Sequence, residues 1–501
     1  MKRNDNLPLN LIDKMNSRVS MMVSAVVLAV ICLVFNRIDY HMIRKPAEEA
    51  YEAARSAQEE ETAGDAASVS AQSVSSSVTV VAVGDNLIEG DMLNAGQAGD
   101  GQYDYSKLYA NVAGSVRAAD LAIVNQETPL TQDSAKVSAQ APYAAPYALG
   151  DALADAGFDV FTCATEYMAA GGDELMADTL AYASSHPELR LVGLHAAGGP
   201  SVQTTEINGI RIALMNYVIP ISGQTVNIGS GSVPEYYWDD EDGVYYVLNE
   251  TTGEWTASEQ EPTAPAASGD TGSSQYELDI LNTSAVSNAI SQAEQESDCV
   301  IFCAHWGKGN EPMPTEYQKQ WATFLLKQGV DVLIGSYPNV LSPYCTLEDE
   351  EGHSMLVYYS LGNFAAMGQT LKQLIGGMAS FTIQKSSSGE NAVVTIKDAD
   401  LELLTTHYNL DNAEYAVYRV ADYTDALSST HSVLNYYGED YSVERIQTKA
   451  DEILAMMVEP SSSTTMLSYT FDASGNIYDS DGNTVTDTDS ITSSQYYANL
   501  G

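Results

Sequence analysis

Between Cys299 and Phe364 the chain sets one histidine, two hydroxyls and two carboxamides at the ends of three short apolar runs. The runs read CVIFCAHWGKGNEPMP, VDVLIGSYPNVL and MLVYYSLGNF, and each passes into a small or polar loop where a strand would leave a sheet. Upstream, three more runs end in the same manner: VAVGDNL at Asp85, VNQETPLT at Asn125 and Glu127, and GFDVFTCATEY at Glu166. Carboxylates, amides and imidazole gathered from separate strand ends are the donors of a metal-assisted hydrolytic site. Such a site needs neutral imidazoles and carboxylates at about 2.0–2.2 Å and one coordination position left for water. Here the frame is present but imidazole is scarce. His305 has Ser336, Tyr337 and Asn339 in the neighbouring loop, and these are poor substitutes as ligands.

A repeated strand, helix, strand order positions these loops. Val78 to Val83 and Leu121 to Asn125 read as buried strands; Pro146 to Ala156 reads as a helix feeding the strand Asp159 to Ala164. A second helix is expected from Asp173 to Ser184, stopped before Pro187. A third starts at Thr315 with Gln318 as a capping box, ends at Gly329, and packs through Trp321, Phe324, Leu325 and Gln328. It delivers the chain into VDVLIG, so the loop Ser336 to Asn339 falls at a strand's carboxyl end, where open α/β sheets bind ligands. The fold class is α/β, with helices on the faces of a parallel or mixed sheet. Strands at Ala379 to Gln384 and Ala392 to Lys397, and helices at Thr424 to Tyr437 and Ser442 to Val458, close the domain.

Three segments stand outside this alternation. The first 45 residues hold an uncharged run, Val19 to Phe35, whose 17 residues lie at the short end of what spans a bilayer core. With Asn36, Arg37 and Asp39 following it instead of a small-residue cleavage site, an uncleaved membrane anchor is expected. Residues 46–77, rich in Ala, Glu, Gln and Ser, read as a stalk and flexible linker. Residues 222–274 read as an insertion: an aromatic hairpin with its turn at Asp242-Gly243, then a Pro/Ala/Ser linker. Tyr236, Tyr237, Trp238, Tyr245, Tyr246 and Trp255 there suit either a polymer contact or ordinary cross-strand pairing. The tail, residues 459–501, alternates around Gly475 and Gly482 as a β-hairpin would; its Asp479, Asp481, Asn483 cluster lacks the glycine position and closing glutamate of a calcium loop.

Charge excludes some partners. The first 45 residues carry 7 basic and 3 acidic side chains, which leaves 15 basic and 65 acidic, net −50, for the rest. A body of that charge repels nucleic acid and anionic membrane faces, and it suits the outside of a cell. Cys163, Cys299, Cys303 and Cys345 lie in or beside apolar runs, so buried thiols are expected and a disulfide framework is not.

The six landmarks, in their order from about Val78 to Val458, resemble the CapA family of poly-γ-glutamate capsule synthesis proteins, whose catalytic domain is similar to a calcineurin-type metallophosphatase. The resemblance implies metallophosphatase-like sheet layers flanked by helices over residues 78–458. Two landmarks depart from the family: Ala164-Thr165-Glu166-Tyr167 stands where A-N-N-H is typical, and Gly335-Ser336-Tyr337-Pro338-Asn339 where G-H-H-P-H is typical. Carried over residue by residue, Asp85, Glu127 and His305 would hold an ion, with Glu166 as a replacement carboxylate, and Asn125 and His305 would meet substrate. Ser336, Tyr337, Asn339 and Asn363 form the surrounding loops; Asn363 is expected to hold its loop through side-chain to backbone bonds. A dinuclear centre is not expected, and two states stay open: one divalent cation, Mg²⁺, Mn²⁺ or Ca²⁺, or none.

The resemblance further implies a protein anchored in the cell membrane by one helix, its body extracellular, that helps synthesise, export or anchor an anionic surface polymer such as poly-γ-glutamate. Its partners would be that polymer or its export machinery. The missing histidines leave open a catalytically inert relative that binds polymer or partner proteins. Hydroxyl chemistry at Tyr167, Ser336 or Tyr337 has no histidine or lysine nearby in sequence to serve as base.

Overall fold

Val80 and Ala82 project to one side of strand β1 (Val74–Asn86), Val81 and Val83 to the other, and all four are buried. A strand that is apolar on both faces must lie between two packed layers. The computed structural model describes residues 74–99, 101–219, 275–388 and 391–458, together with the short segments 236–239, 244–249, 254–258, 460–461, 470–471 and 477–478.

The elements follow in chain order. After β1 come β2 (Leu121–Gln126), α1 (Tyr147–Ala156), β3 (Val160–Thr162), α2 (Glu166–Ser185) and β4 (Arg190–Val192). Strands β5 (Gln203–Ile207) and β6 (Ile210–Val218) precede α3 (Thr283–Glu296), β7 (Cys299–His305), α4 (Glu316–Gln328) and β8 (Val332–Ser336). Then follow β9 (Tyr344–Glu348), β10 (Ser354–Tyr358), β11 (Asn363–Ala365), β12 (Ile375–Ser388), β13 (Asn391–Asn409), β14 (Glu414–Arg419) and α5 (Val443–Leu454).

Two sheets result. The first has the order β14-β13-β12-β1-β2-β3-β4, with β11 also paired to β1; the second has the order β5-β6-β7-β8-β10-β9. In the first, β1, β2, β3 and β4 run parallel; in the second, β6, β7, β8 and β10 do. Val80, Ala82, Ile123 and Val160 of the first sheet share one apolar core with Ile212, Leu214, Ile301 and Ile334 of the second. The opposite face of the first sheet packs under α1 and α2 through Val81, Val124, Leu149, Leu153 and Met176. That of the second packs under α3 and α4 through Val300, Phe302, Ile290, Trp321 and Leu325. Helices, sheet, sheet, helices is the layered α/β arrangement expected.

Several boundaries differ from the sequence reading. The linker was expected to run to residue 77, but β1 starts at Val74, because Gln384 to Ser387 of β12 offer Ser77 to Val74 a pairing edge. The helix expected from Asp173 starts at Glu166: Thr165 Oγ1 accepts the Met168 N–H at 3.2 Å, and Gly172, at φ 64°, kinks the helix without ending it. The Thr315 to Gln318 capping box of α4 is present. The helix expected over 424–437 is two short helices, Asp425–Ser428 and Ser432–Tyr436, divided at His431, which caps the second. Within the insertion, Tyr236–Asp239, Val244–Asn249 and Glu254–Ser258 form a three-stranded antiparallel meander, one strand more than a hairpin; its aromatic side chains lie outside what is described. Thr470–Phe471 pairs antiparallel with Ile477–Tyr478, as a tail hairpin requires; Gly475, Gly482, Asp479, Asp481 and Asn483 lie outside the described residues, as does the apolar run 19–35. Among the described residues no helix is long and apolar enough to cross a membrane. Cys163, Cys299, Cys303 and Cys345 are free thiols.

The C-terminal part closes a separate apolar cluster, in which Tyr408, Val433 and Tyr441 meet Ile446, Ala450 and Ile453 of α5. Two buried histidines lie against it. His431 Nδ1 accepts the Val433 N–H at 3.0 Å and its Nε2 lies 3.1 Å from the Thr406 carbonyl; His407 Nδ1 lies 2.7 Å from Tyr423 Oη. Burial pulls His407 down to about 4 and His431 to about 3. Unfolded, both titrate near 6.5, so the unfolded chain binds more protons below that pH. Their contribution is therefore complete above pH 6.5 and lost as pH falls toward 4. At pH 5 the loss is on the order of 2 kcal/mol per histidine. His431→Asn keeps a capping acceptor but does not titrate; its melting temperature relative to wild type should improve steadily from pH 7 to pH 5. A constant difference across that range would show that His431 is not held neutral.

Candidate functional site

Parallel register brings the chemistry-bearing residues to one edge. Asp85 of β1 is paired with Asn125 of β2, Asn125 with Thr162 of β3, and, in the other sheet, His305 of β7 with Ser336 of β8. Because each strand carries its polar residue at its carboxyl end, the two sheets deliver these groups to the same rim.

The network is ordered from the inside. Thr162 Oγ1 donates to Asn125 Oδ1 at 2.9 Å, which turns the Asn125 amide so that Nδ2 donates to Asp85 Oδ1 at 2.8 Å. The same nitrogen lies 3.4 Å from His305 Nδ1. Asp85 also accepts the Tyr337 backbone N–H, 3.2 Å from each oxygen. Tyr337 sits at φ 93°, a left-handed conformation that an L side chain adopts only when its surroundings enforce it. Burial pushes the Asp85 carboxyl up to about 6, against the opposing pull of His305.

His305 is fully buried and both ring nitrogens are engaged. Nδ1 lies 2.9 Å from Ser336 Oγ, and Nε2 lies 2.5 Å from Glu166 Oε2. The Asn125 amide N–H points toward Nδ1, which makes Nδ1 the acceptor and places the proton of a neutral ring on Nε2, toward Glu166. Glu166 occupies the first turn of α2, where the helix dipole favours a carboxylate.

Glu127 is the unbalanced member. It is fully buried, and neither carboxylate oxygen meets a protein donor. Burial pushes its carboxyl well above the usual range, and the nearby Asp85 and Glu166 charges add to the effect. The chain on either side of it is pinned: Asn86 Nδ2 donates to Gln126 Oε1 at 2.8 Å, Tyr109 Oη to Asn86 Oδ1 at 2.7 Å, and Gln126 Nε2 to the Thr128 carbonyl at 2.5 Å. A buried carboxylate with no donor calls for a proton or a cation.

Ligand atoms of Glu127, Glu166 and His305 all lie within 4.8 Å of one another. These two carboxylates and one imidazole fit a single divalent cation that takes mixed oxygen and nitrogen ligands. Asp85, expected as a ligand, stands beside this group, bonded to Asn125 and Tyr337. Glu166, which sequence alone could equally place at the surface, belongs to the innermost set.

Above the group opens a narrow cleft of about 70 Å³, whose lining includes Glu166, Tyr167, Tyr337, Asn339 and Asn363. Asn339, at φ 58°, donates from Nδ2 to the Tyr337 carbonyl at 2.8 Å and closes the Ser-Tyr-Pro-Asn turn. Asn363 donates to the Gln373 carbonyl at 2.9 Å, which is the loop-holding role expected of it.

Sequence reasoning found no base near Ser336, yet His305 contacts it from 31 positions away. Only the parallel pairing of β7 and β8 carries that signal. The contact does not make Ser336 a nucleophile: the residue is 6% exposed and is absent from the cleft lining.

A family model described as "Bacterial capsule synthesis protein PGA_cap" matches residues 79–367. The PGA biosynthesis protein CapA of Bacillus subtilis (strain 168) is 28% identical over 107 residues, 21% of this chain and 27% of that protein. The capsule biosynthesis protein CapA of Bacillus anthracis is 28% identical over 93 residues, 19% of this chain and 21% of that protein. The matched stretch thus spans about a quarter of the length of these curated relatives. Among solved structures, a hypothetical protein from Thermus thermophilus aligns with a TM-score of 0.31 at 12% identity, covering 65% of this chain and 99% of that one.

Proposed function

Because this chain belongs to the bacterial capsule synthesis protein PGA_cap family, we propose that it takes part in synthesising, exporting or anchoring an anionic surface polymer of the poly-γ-glutamate type, using one divalent cation held by Glu127, Glu166 and His305. The observation that carries the cation reading is the Glu127 carboxylate, buried beside two further donors and given no hydrogen bond by the protein. The relatives named for capsule and PGA biosynthesis support the polymer reading. The apolar run at residues 19–35 would anchor the chain in the membrane, and the net charge of −50 beyond residue 45 suits a body outside the cell.

A cation in this position supplies Lewis-acid polarisation of a phosphoryl or acyl oxygen and a lowered pKa for water. The chain's own residues do the rest. Asn125, its amide fixed by Thr162, holds Asp85 at the rim. Ser336 Oγ, 2.9 Å from His305 Nδ1, would orient the ring and accept an Nδ1 proton were Nε2 to hold the ion. Ser336→Ala should therefore weaken Mn²⁺ binding by about 10- to 100-fold with little change in fold, measured by calorimetric titration of the purified full chain. Unchanged affinity would remove Ser336 from this role.

The reading as a whole is tested by adding Mn²⁺ or Mg²⁺ to the full chain and assaying phosphodiester and γ-glutamyl amide hydrolysis. One equivalent bound, with turnover abolished by chelator, is the expected outcome. Absence of both uptake and turnover removes the cation-dependent enzyme.

A further inference from the structure

We infer that Asn216, on the strand beside His305, is a positioning residue that sets Glu166 against His305 by joining the two sheets through one carboxamide. The inference deepens the function proposed above and rests on it for the ion, since it names what fixes the spacing of two of the three donors.

The pattern of strand β6 supplies the first argument. Its alternate residues Ile210, Ile212 and Leu214 enter the apolar core shared by the two sheets. Asn216 is the next residue on that face and is 0% exposed. An apolar side chain there would simply continue the core, whereas a buried carboxamide must find partners for its polar atoms.

It finds one on each sheet. Asn216 Oδ1 accepts the Ala164 N–H at 2.6 Å, where the chain leaves β3 of the first sheet for α2. Asn216 Nδ2 donates to the Cys303 carbonyl at 3.4 Å, on β7 of the second sheet. The backbone donor at Ala164 fixes which end of the amide is oxygen. Gly193, at φ 88°, makes room for the link: a Cβ there would stand 2.4 Å from Asn216 Oδ1 and 2.8 Å from the Ala164 Cβ.

Each end of the link leads to an ion donor. Ala164 lies two residues before Glu166, and Thr165 between them donates from Oγ1 to the Glu127 carbonyl at 3.4 Å. Cys303 lies two residues before His305, and the register of β6 on β7 pairs Asn216 with Cys303 and Val218 with His305. Glu166 thus hangs from the first sheet and His305 from the second. Their 2.5 Å contact depends on how far apart these strand ends are held. Apolar packing is non-directional and leaves small slides open; a bonded carboxamide fixes both distance and direction.

The test compares variants of the full chain. Asn216→Leu keeps nearly the same volume and removes both bonds; Leu214→Ala, on the same face but further from the rim, opens a cavity and leaves the link intact. In metal-free protein with 15N-labelled histidine, the His305 Nε2–H shared with Glu166 gives a downfield proton resonance. Asn216→Leu should shift or remove this resonance, and Leu214→Ala should keep it. Mn²⁺ affinity by calorimetric titration should fall at least about tenfold in Asn216→Leu, and stay within about twofold of wild type in Leu214→Ala although that variant melts lower. Asn216→Ser keeps one polar atom but cannot reach both sheets; it should show the same two losses, and it decides the matter if the leucine variant does not fold. A wild-type resonance and wild-type affinity in the Asn216 variants overturn the inference. Equal losses in Leu214→Ala do so too, by marking Asn216 as ordinary core. A wild type that takes up no Mn²⁺, while its resonance still depends on Asn216, removes the cation reading and leaves the positioning role standing.

Discussion

Glu127→Gln should make the metal-free protein more stable and abolish its response to divalent cations. In chelator at neutral pH, the native state must hold a fully buried carboxyl that receives no donor and faces Asp85 and Glu166. Its pKa is raised above the unfolded value, so its contribution to stability is present below about pH 4.5 and is lost as pH rises toward the folded value. Glutamine has nearly the same shape, carries no charge, and can donate to the Glu166 carboxylate. The expected gain is about 1–3 kcal/mol, seen as a melting temperature several degrees higher. With Mn²⁺ the order reverses: wild type gains stability by mass action, and the variant, lacking a ligand, binds at least about 100-fold more weakly. Crossed melting curves, variant above in chelator and wild type above in Mn²⁺, are the signature. A variant less stable than wild type in chelator would mean that Glu127 is held by donors and is no vacant ligand.

The second large effect concerns packing at the rim. A Cβ built at Gly335 would stand 1.9 Å from the Tyr359 carbonyl oxygen, and one at Gly84 would stand 1.8 Å from that of Gly362. Both obstructions are backbone, so no side-chain rotation relieves them. The absence of a side chain at these positions lets the YSLGNF segment approach both sheets: Leu361 N donates to the Gly335 carbonyl at 3.0 Å, and Asp85 N to the Gly362 carbonyl at 2.9 Å. Gly335→Ala and Gly84→Ala should each cost more than about 4 kcal/mol or prevent folding, by overpacking and loss of these bonds. Gly114→Ala is the control, since a Cβ there meets nothing within 4 Å and the residue lies in a short helix; it should be neutral or slightly stabilising. Circular dichroism and chemical denaturation of the three variants decide the matter. Gly335→Ala with wild-type stability would mean that the rim loops have room to separate.

Local physics was legible wherever it acted over a few residues. The buried strands showed as apolar runs, and α4 as a capping box from Thr315 to Gln318 with its stop at Gly329, which takes the left-handed conformation at φ 99°. The start of α2 was misplaced because Gly171-Gly172 looks like a break, whereas packing of Met168, Leu175 and Met176 carries the helix through the kink. His431 was similarly silent: nothing in its neighbours announces that it divides one helix into two while capping the second.

By itself the sequence determined which residue types end each strand: Asp85, Asn125 with Glu127, Glu166, His305, and the Ser-Tyr-Pro-Asn turn. It also placed the Ser-Tyr-Pro-Asn turn at a strand's carboxyl end, since the helix before it delivers the chain into VDVLIG. Only the tertiary structure decided which of them touch. Glu166 meets His305 across 139 positions and Ser336 meets it across 31, while Asp85 is drawn aside by Asn125 and the Tyr337 N–H. Those pairings depend on the register between strands and on how two sheets are stacked. Both are set by the fit of the shared apolar core, a property summed over distant residues that no short window of sequence contains.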